Sequence, residues 1–490
     1  MSTYQRQSVG FLTIAVLVFS SIGIVISSAI IMWAASGLRQ ADALFERERA
    51  FYLAEAGIEY YRWHLAHAPV DFTDGQGATS TGPYVHNQYD GYGNIIGTFK
   101  LTVTPPIVGS TVVTVKSTGS IVGSSVVRTI EAKLAIPSLS KYSFVANDKM
   151  RFGEGTEIFG PVHSNGGIRL DGLAHNVVSS AVSSYDDADH GGINEFGVHT
   201  HVKPPPLTGS YDDSDGVVTG EAPPTSVAAR TDVFEAGRQF PVPAIDFAGF
   251  SSDLASLKTK AVANGRYFFP SGKLGFKIVL KTNDTFDVYR VEGLVPAPSG
   301  CSNTGSQVDW GTWSIDAARL VFQGTFTNPA NGIIFVEDDL WVEGKINTAR
   351  ITIAAAGVPE NVGDLRHITV NSNVLYTNYD GQDVLALIAQ GNVIVGLKSL
   401  NTQRIDATLL AKSGKVGRYS YVANCGAEYV RSTITVYGSI CSNQRYGFAY
   451  TNGTGYTNRT VIYDANLLYN PPPDFPLAAD SYNVISWREL

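Results

Sequence analysis

Between Arg6 and Arg39 the chain runs 32 residues without a charged side chain, and apolar residues dominate at 9–19 and again at 22–33. About 20 apolar residues are enough to cross a bilayer, whereas a cleaved secretory signal has an apolar centre of only ~7–15. The block therefore predicts a membrane-spanning helix. Flanking charge does not orient it, because Arg6 on one side is answered by Arg39, Arg47 and Arg49 on the other. Beyond Leu38 the pattern becomes amphipathic and contains no proline before Pro69. Leu44, Phe51, Ala54, Ile58, Tyr61 and Leu65 form an apolar stripe interrupted by Arg47, with Glu46, Glu48, Arg49, Glu55 and Glu59 lying off it. One helix over 8–66 follows, roughly 85–90 Å long at 1.5 Å per residue.

The periodicity then changes from helical to alternating. Residues 95–103, 111–119 and 126–134 each alternate apolar and polar side chains, with turns at Gly109-Ser110 and Gly123-Ser124. An antiparallel meander is expected, ending at Pro137, with the amphipathic half of the helix covering its apolar face. From Tyr142 onward come short apolar or alternating runs separated by Asn, Asp and Gly, with no fixed period. A sandwich of two antiparallel sheets would give similar strands. A parallel β-helix accounts better for doublets such as Leu409-Leu410, which are expected to stack inside. Residues 178–245, carrying Pro204-Pro205-Pro206 and Pro223-Pro224, form an expected surface excursion. A helix is predicted over about 246–264, with Phe247, Phe250, Leu254, Leu257 and Ala261 on its covered face and Gly265 as its C-cap.

Two stretches carry a family resemblance. A short basic leader ending in Gly10, followed by Phe11 and an apolar helix, resembles the class III signal of type IV pilins and pseudopilins. The stretch ERAFYLAEAGIE at 48–59 resembles the signature after the anchor in PilX-type minor pilins. The resemblance implies cleavage after Gly10 by a prepilin peptidase and N-methylation of Phe11. It also implies an inner or cytoplasmic membrane location and other pilin subunits as partners through the helix. Major pilins carry Glu at the fifth mature position, where this chain has Ala15. That departure suits a tip or initiating subunit, because the Glu otherwise offsets a buried terminal amine. The distal part, including Tyr463-Asp464 and Asn470-Pro471-Pro472-Pro473-Asp474-Phe475, also resembles PilX-type proteins, a family without assigned chemistry.

The expected fold class is mainly β with one long N-terminal helix: a pilin-like helix on an antiparallel sheet, then a large β-rich domain, expected as a parallel β-helix. The expected divisions are a leader at 1–10, a transmembrane half-helix at 11–37 and a pilin-like head at 38–136. A β-rich region at 137–330, a β-helix-like region at 331–465 and a Pro-rich tail at 466–490 follow.

Composition narrows the chemistry. Of 490 residues only 16% are charged while 44% are hydrophobic, and the net charge is −8. An acidic chain with a pI near 5.6 carries no nucleic-acid footprint, so no nucleic-acid partner is expected. Three cysteines exclude a disulfide scaffold and a four-thiolate zinc site. Cys425 and Cys441 bracket a hairpin-like stretch and are the expected disulfide, closing a loop of about 15 residues for roughly 3 kcal/mol. Two acidic loops, with Asp186, Asp187 and Asp189 in the first and Asp212, Asp213 and Asp215 in the second, offer oxygen ligands for Ca²⁺, although neither has the full twelve-residue calcium loop. No other cofactor is expected. Five of the nine histidines fall between His163 and His201, and His199 and His201 share a face in an extended chain, as metal ligands can.

No G-x-S-x-G elbow or phosphate-binding glycine loop is present, and His163 and Ser164 point opposite ways on a strand. The run Glu337-Asp338-Asp339 with Glu343 is expected to be a solvated turn. The leading expectation is a non-catalytic, single-pass membrane protein with its bulk outside the cytoplasm, at a pilus tip or cell surface. Its head would serve adhesion or pilus assembly, with a surface or carbohydrate ligand as a further partner. The alternative is a membrane-anchored β-helix polysaccharide lyase or hydrolase, which needs converging carboxylates or a calcium-assisted base.

Overall fold

The computed structural model describes residues 8–77, 79–80, 82–187, 192, 194–204, 220–247, 251–303 and 307–490. The chain is mainly β with one long N-terminal helix, and it divides into two compact units. The first holds the residues up to 105, with 113–135 and 481–490; the second holds 106–112 and 136–480.

In the first unit, helix α1 runs without a break from Ser8 to His67. Its first half buries almost nothing: Phe11, Phe19 and Trp33 are among many large apolar side chains left exposed. In its second half, Ala50, Leu53, Ala54, Ile58, Tyr61 and Leu65 are buried at helical spacing. This stripe lies slightly around the helix from the expected one, because Leu44 is exposed and Ala50 and Leu53 take the contact. Small residues on that face allow close approach to the sheet.

The sheet is antiparallel and has five strands: β1 (Tyr84–Tyr89), β2 (Ile95–Thr104), β3 (Val113–Ile121), β4 (Val127–Ala135) and a closing strand, Asn483–Glu489. The meander is thus flanked by two strands that the alternation did not reveal. The closing strand corrects the expected tail at 466–490. Its residues pair with β4 from Asn483↔Ala135 to Glu489↔Ile130, and Arg488 reaches Glu131 at 2.6 Å. Residues 136–480 of the second unit are therefore inserted in the chain between two neighbouring strands of the first. Gly119 on β3 lies directly under α1; a Cβ there would sit 2.1 Å from the Ala50 carbonyl oxygen.

In the second unit, parallel pairing dominates. One ladder joins Ile334, Ile353, Leu387, Leu409, Ile440, Phe144, Val162 and Val178 in register, all fully buried. Its spatial order is not its chain order: strand Phe144–Ala146, the first of the unit, stacks on Val430–Ser442, one of the last. The expected division into 137–330 and 331–465 cuts across one continuous sheet.

The doublets have a different cause from the one expected. Leu409 joins the main core, but its neighbour Leu410 faces the other way, into a second apolar layer. That layer includes Ile333, Phe335 and Ile388, covered by Leu254, Leu257 and Ala261 of helix α2 (Ser251–Asn264) and by Phe475. Both faces of these strands are buried, so successive residues are both apolar. Helix α2 starts later than 246, leaving Phe247 buried ahead of it, while Phe250 lies outside the described residues. Gly265 follows α2 without a left-handed φ. It is needed because a Cβ would lie 2.6 Å from the Ile333 carbonyl oxygen. The Pro471-Pro472-Pro473 segment is pinned by Arg350, which donates to the Asn470 and Pro471 carbonyls at 2.9 and 2.7 Å.

Candidate metal centre

The hairpin Ser184–Asp186 with Asn194–Phe196 leads into Asp187, which lies beside His199 and His201. After Gly197 the chain enters the strand Val198–His199, which pairs in parallel with Ile168–Leu170, setting His199 opposite Arg169. Residues two apart on extended backbone point to one side, and the His199 and His201 rings lie 5.3 Å apart. Asp187, just past the hairpin arm, completes a group of three whose ligand atoms all lie within 4.8 Å of one another. All three are buried: Asp187 is 4% exposed, His199 0% and His201 1%.

Charged side chains around the group fix its backbone. The Asp171 carboxylate accepts from the His201 amide at 2.9 Å and from Arg169 Nε at 2.6 Å. Glu221 accepts from the Thr200 amide at 3.0 Å and is clamped by both terminal nitrogens of Arg238 at 2.5 and 3.0 Å. The Asp187 carboxylate stands 3.7 Å from His199 Nε2 and 3.7 Å from Arg169 Nη1. Among the described residues, neither ring nitrogen of His199 has a hydrogen-bond partner. Tyr185 covers the group, its ring 5.4 Å from that of His199. Burial raises the Tyr185 hydroxyl far above its ordinary range, with the nearby Asp187 and Glu195 charges adding to the effect.

Of the aspartates expected to hold calcium, Asp187 enters this group, while Asp186 is exposed and accepts from the Gly192 amide at 3.3 Å. Asp189, Asp212, Asp213 and Asp215 lie outside the described residues, as does His190. His175 is elsewhere, held between Glu157 at 2.9 Å and Glu235 at 2.7 Å, and these carboxylates raise its pKa. The i, i+2 histidine spacing was the legible signal. Asp171 and Glu221 were not legible, because nothing local in the sequence ties them to residues 20–30 positions away.

Two other expectations are corrected. Cys425 pairs with Cys301, not with Cys441; Cys441 is a free thiol buried in the layer beneath α2. The stretch between Cys425 and Cys441 is no hairpin but mostly one strand, Val430–Ser442, which carries Cys441 away from Cys425. Burial pushes the Cys441 thiol up to about 12. The acidic run at 337–339 is not a solvated turn. Glu337 binds Lys258 at 2.6 Å and the Tyr267 hydroxyl, and Asp338 accepts from the Ser271 amide at 2.8 Å. Asp339 accepts from the His367 amide at 2.8 Å, and burial raises its carboxyl to about 7. Glu343 pairs with Lys277 at 2.7 Å.

A cleft of about 800 Å³ opens elsewhere in the second unit, lined by Arg151, Lys415, Arg445, Arg459, Tyr446 and Tyr450 among others. Burial lowers Lys415 to about 8. Asp148 and Glu154 also line it, whereas Asp339 and Asp464, two carboxyls that burial raises, do not.

No protein-family model and no curated protein sequence matches the chain. Among solved structures, the crystal structure of the competence-associated pilin ComZ from Thermus thermophilus is similar to it at 15% identity, across 91% of this chain and 97% of that one, with a TM-score of 0.29.

Proposed function

We propose that the protein is a membrane-anchored minor pilin or pseudopilin of a type IV pilus system that displays a large, non-catalytic β-rich unit outside the cytoplasm. The observation that carries this is the two-part use of one uninterrupted helix. Its apolar first half is exposed over a length that suits a membrane or neighbouring helices, while its second half is buried on an antiparallel sheet. The Gly10-Phe11 junction and the 48–59 signature, read as resemblances, support processing by a prepilin peptidase and packing among other pilin subunits. Ala15 favours a tip or initiating position. The parallel ladders with their continuous apolar column support a parallel β-helix for the distal unit, and the Cys301–Cys425 bridge suits an oxidising compartment.

A display role is supported by the cleft, whose tyrosines and cations suit a surface or carbohydrate ligand. Mass mapping of the native N-terminus tests the reading. The expected mature chain begins at an N-methylated Phe11; a native protein still beginning at Met1 sinks the processed-pilin claim.

A further inference from the structure

We infer that Asp187, His199 and His201 bind one divalent transition ion of the zinc class. The inference is independent of the pilus reading. Two imidazoles and one carboxylate form a donor set that suits zinc and its neighbours, whereas calcium prefers six to eight oxygens. Ligand atoms around a tetrahedral zinc lie about 3.3 Å apart, from metal–ligand bonds of ~2.0–2.1 Å. The three donors lie within 4.8 Å, and the His199 and Asp187 atoms are already at 3.7 Å, so small side-chain rotations close the set.

The second observation is His199 itself. It is fully buried, and both of its ring nitrogens lack a hydrogen-bond partner among the described residues. A buried imidazole without partners costs free energy, which a metal–nitrogen bond relieves. Arg169 stands beside the site: its Nε is committed to Asp171 at 2.6 Å, and its Nη1 is 3.7 Å from the Asp187 carboxylate, an ion pair that metal binding must loosen. The carboxylates of Asp171 and Glu221 hold the backbone amides of residues 200 and 201, and so aim both histidines before any ion arrives. The bound ion would join the hairpin arm at Asp187 to the strand at His199.

The test uses the full chain in detergent micelles, freed of metal by chelation and titrated with zinc chloride, with cobalt(II) chloride as the spectroscopic probe. One zinc per chain is expected, together with the strong visible absorption of four-coordinate cobalt, abolished when zinc displaces it. His199→Gln and Asp187→Asn should each weaken zinc binding at least about 100-fold, while His175→Gln leaves it unchanged. Wild-type protein that takes up less than about a tenth of an equivalent of zinc, or gives only the weak spectrum of six-coordinate cobalt, overturns the inference without requiring any variant to fold. Loss of binding in His175→Gln with retention in His199→Gln, or calcium uptake in place of zinc, overturns it equally.

Discussion

Trp487 meets Phe51 edge-on, their ring centroids 5.8 Å apart, so the last strand of the chain packs against the second half of the helix. The contact is possible only because the 483–489 strand pairs with β4 and extends the sheet beneath α1. Deleting residues 481–490 should strip the head of this strand and open β4 to solvent. Trp487→Ala should cost about 1–2 kcal/mol, less than a fully buried aromatic because its ring is half-exposed. Limited proteolysis is the readout for the deletion, with cleavage appearing first in α1 and β4. Thermal unfolding serves for the point variant.

Gly119→Val should be more damaging than its location in a strand suggests. A Cβ at this position meets backbone atoms of α1, at 2.1 Å for the Ala50 oxygen and 2.5 Å for the Ala54 nitrogen, and backbone cannot swing aside. The helix must lift off the sheet, at a cost of roughly 2–4 kcal/mol. Chemical denaturation of the variant should move its midpoint down without changing the secondary structure of the folded state.

The bridge between Cys301 and Cys425 spans 124 residues of sequence. Chain-entropy reasoning gives about 5 kcal/mol for a loop of that size. Cys301→Ser and Cys425→Ser should therefore lose stability alike, and a reducing agent should lower the wild type to their level without affecting them further. Cys441→Ser should keep the bridge, which peptide mapping under non-reducing conditions will read as a 301–425 cross-link.

Asp339 predicts a pH dependence with a definite sign. Its carboxyl titrates near 7 when folded and near 3.8 when unfolded, so between those values the folded chain holds the extra proton. The stability that this proton contributes is complete at low pH and is lost as pH rises through 7. Asp339→Asn, which keeps an oxygen for the His367 amide, removes that loss. The variant should gain on the wild type by about 1–3 kcal/mol between pH 5 and pH 8. Parallel melts at the two pH values check it; a constant offset would contradict the burial assigned to this side chain.

Local periodicity was enough for α1, the three meander strands and the buried face of α2, because each is specified by its own spacing of apolar residues. Strands buried on both faces defeated it. Leu409 and Leu410 read alike in sequence, yet one enters the main core and the other the layer under α2. Long-range pairing was also invisible: nothing near Ile440 announces Phe144 as its neighbour, and nothing near Cys425 distinguishes Cys301 from Cys441. The candidate metal centre was half legible. The His199–His201 spacing pointed to ligands, and Asp187 stood out for its acidic loop, but only the hairpin brings the two signals together.

The separation of β4 from its partner strand has a consequence in time. At ~5–20 residues per second, translation delivers Asn483 roughly 20–70 s after Ala135, since about 350 residues intervene. Throughout that interval the first four strands present β4 as an unpaired edge, the feature most prone to capture by another chain. The nascent head must either wait in the company of a chaperone or membrane, or complete itself only when the whole insertion has been made. A ribosome stalled anywhere within 136–480 should thus yield a molecule with its helix formed and its sheet still open.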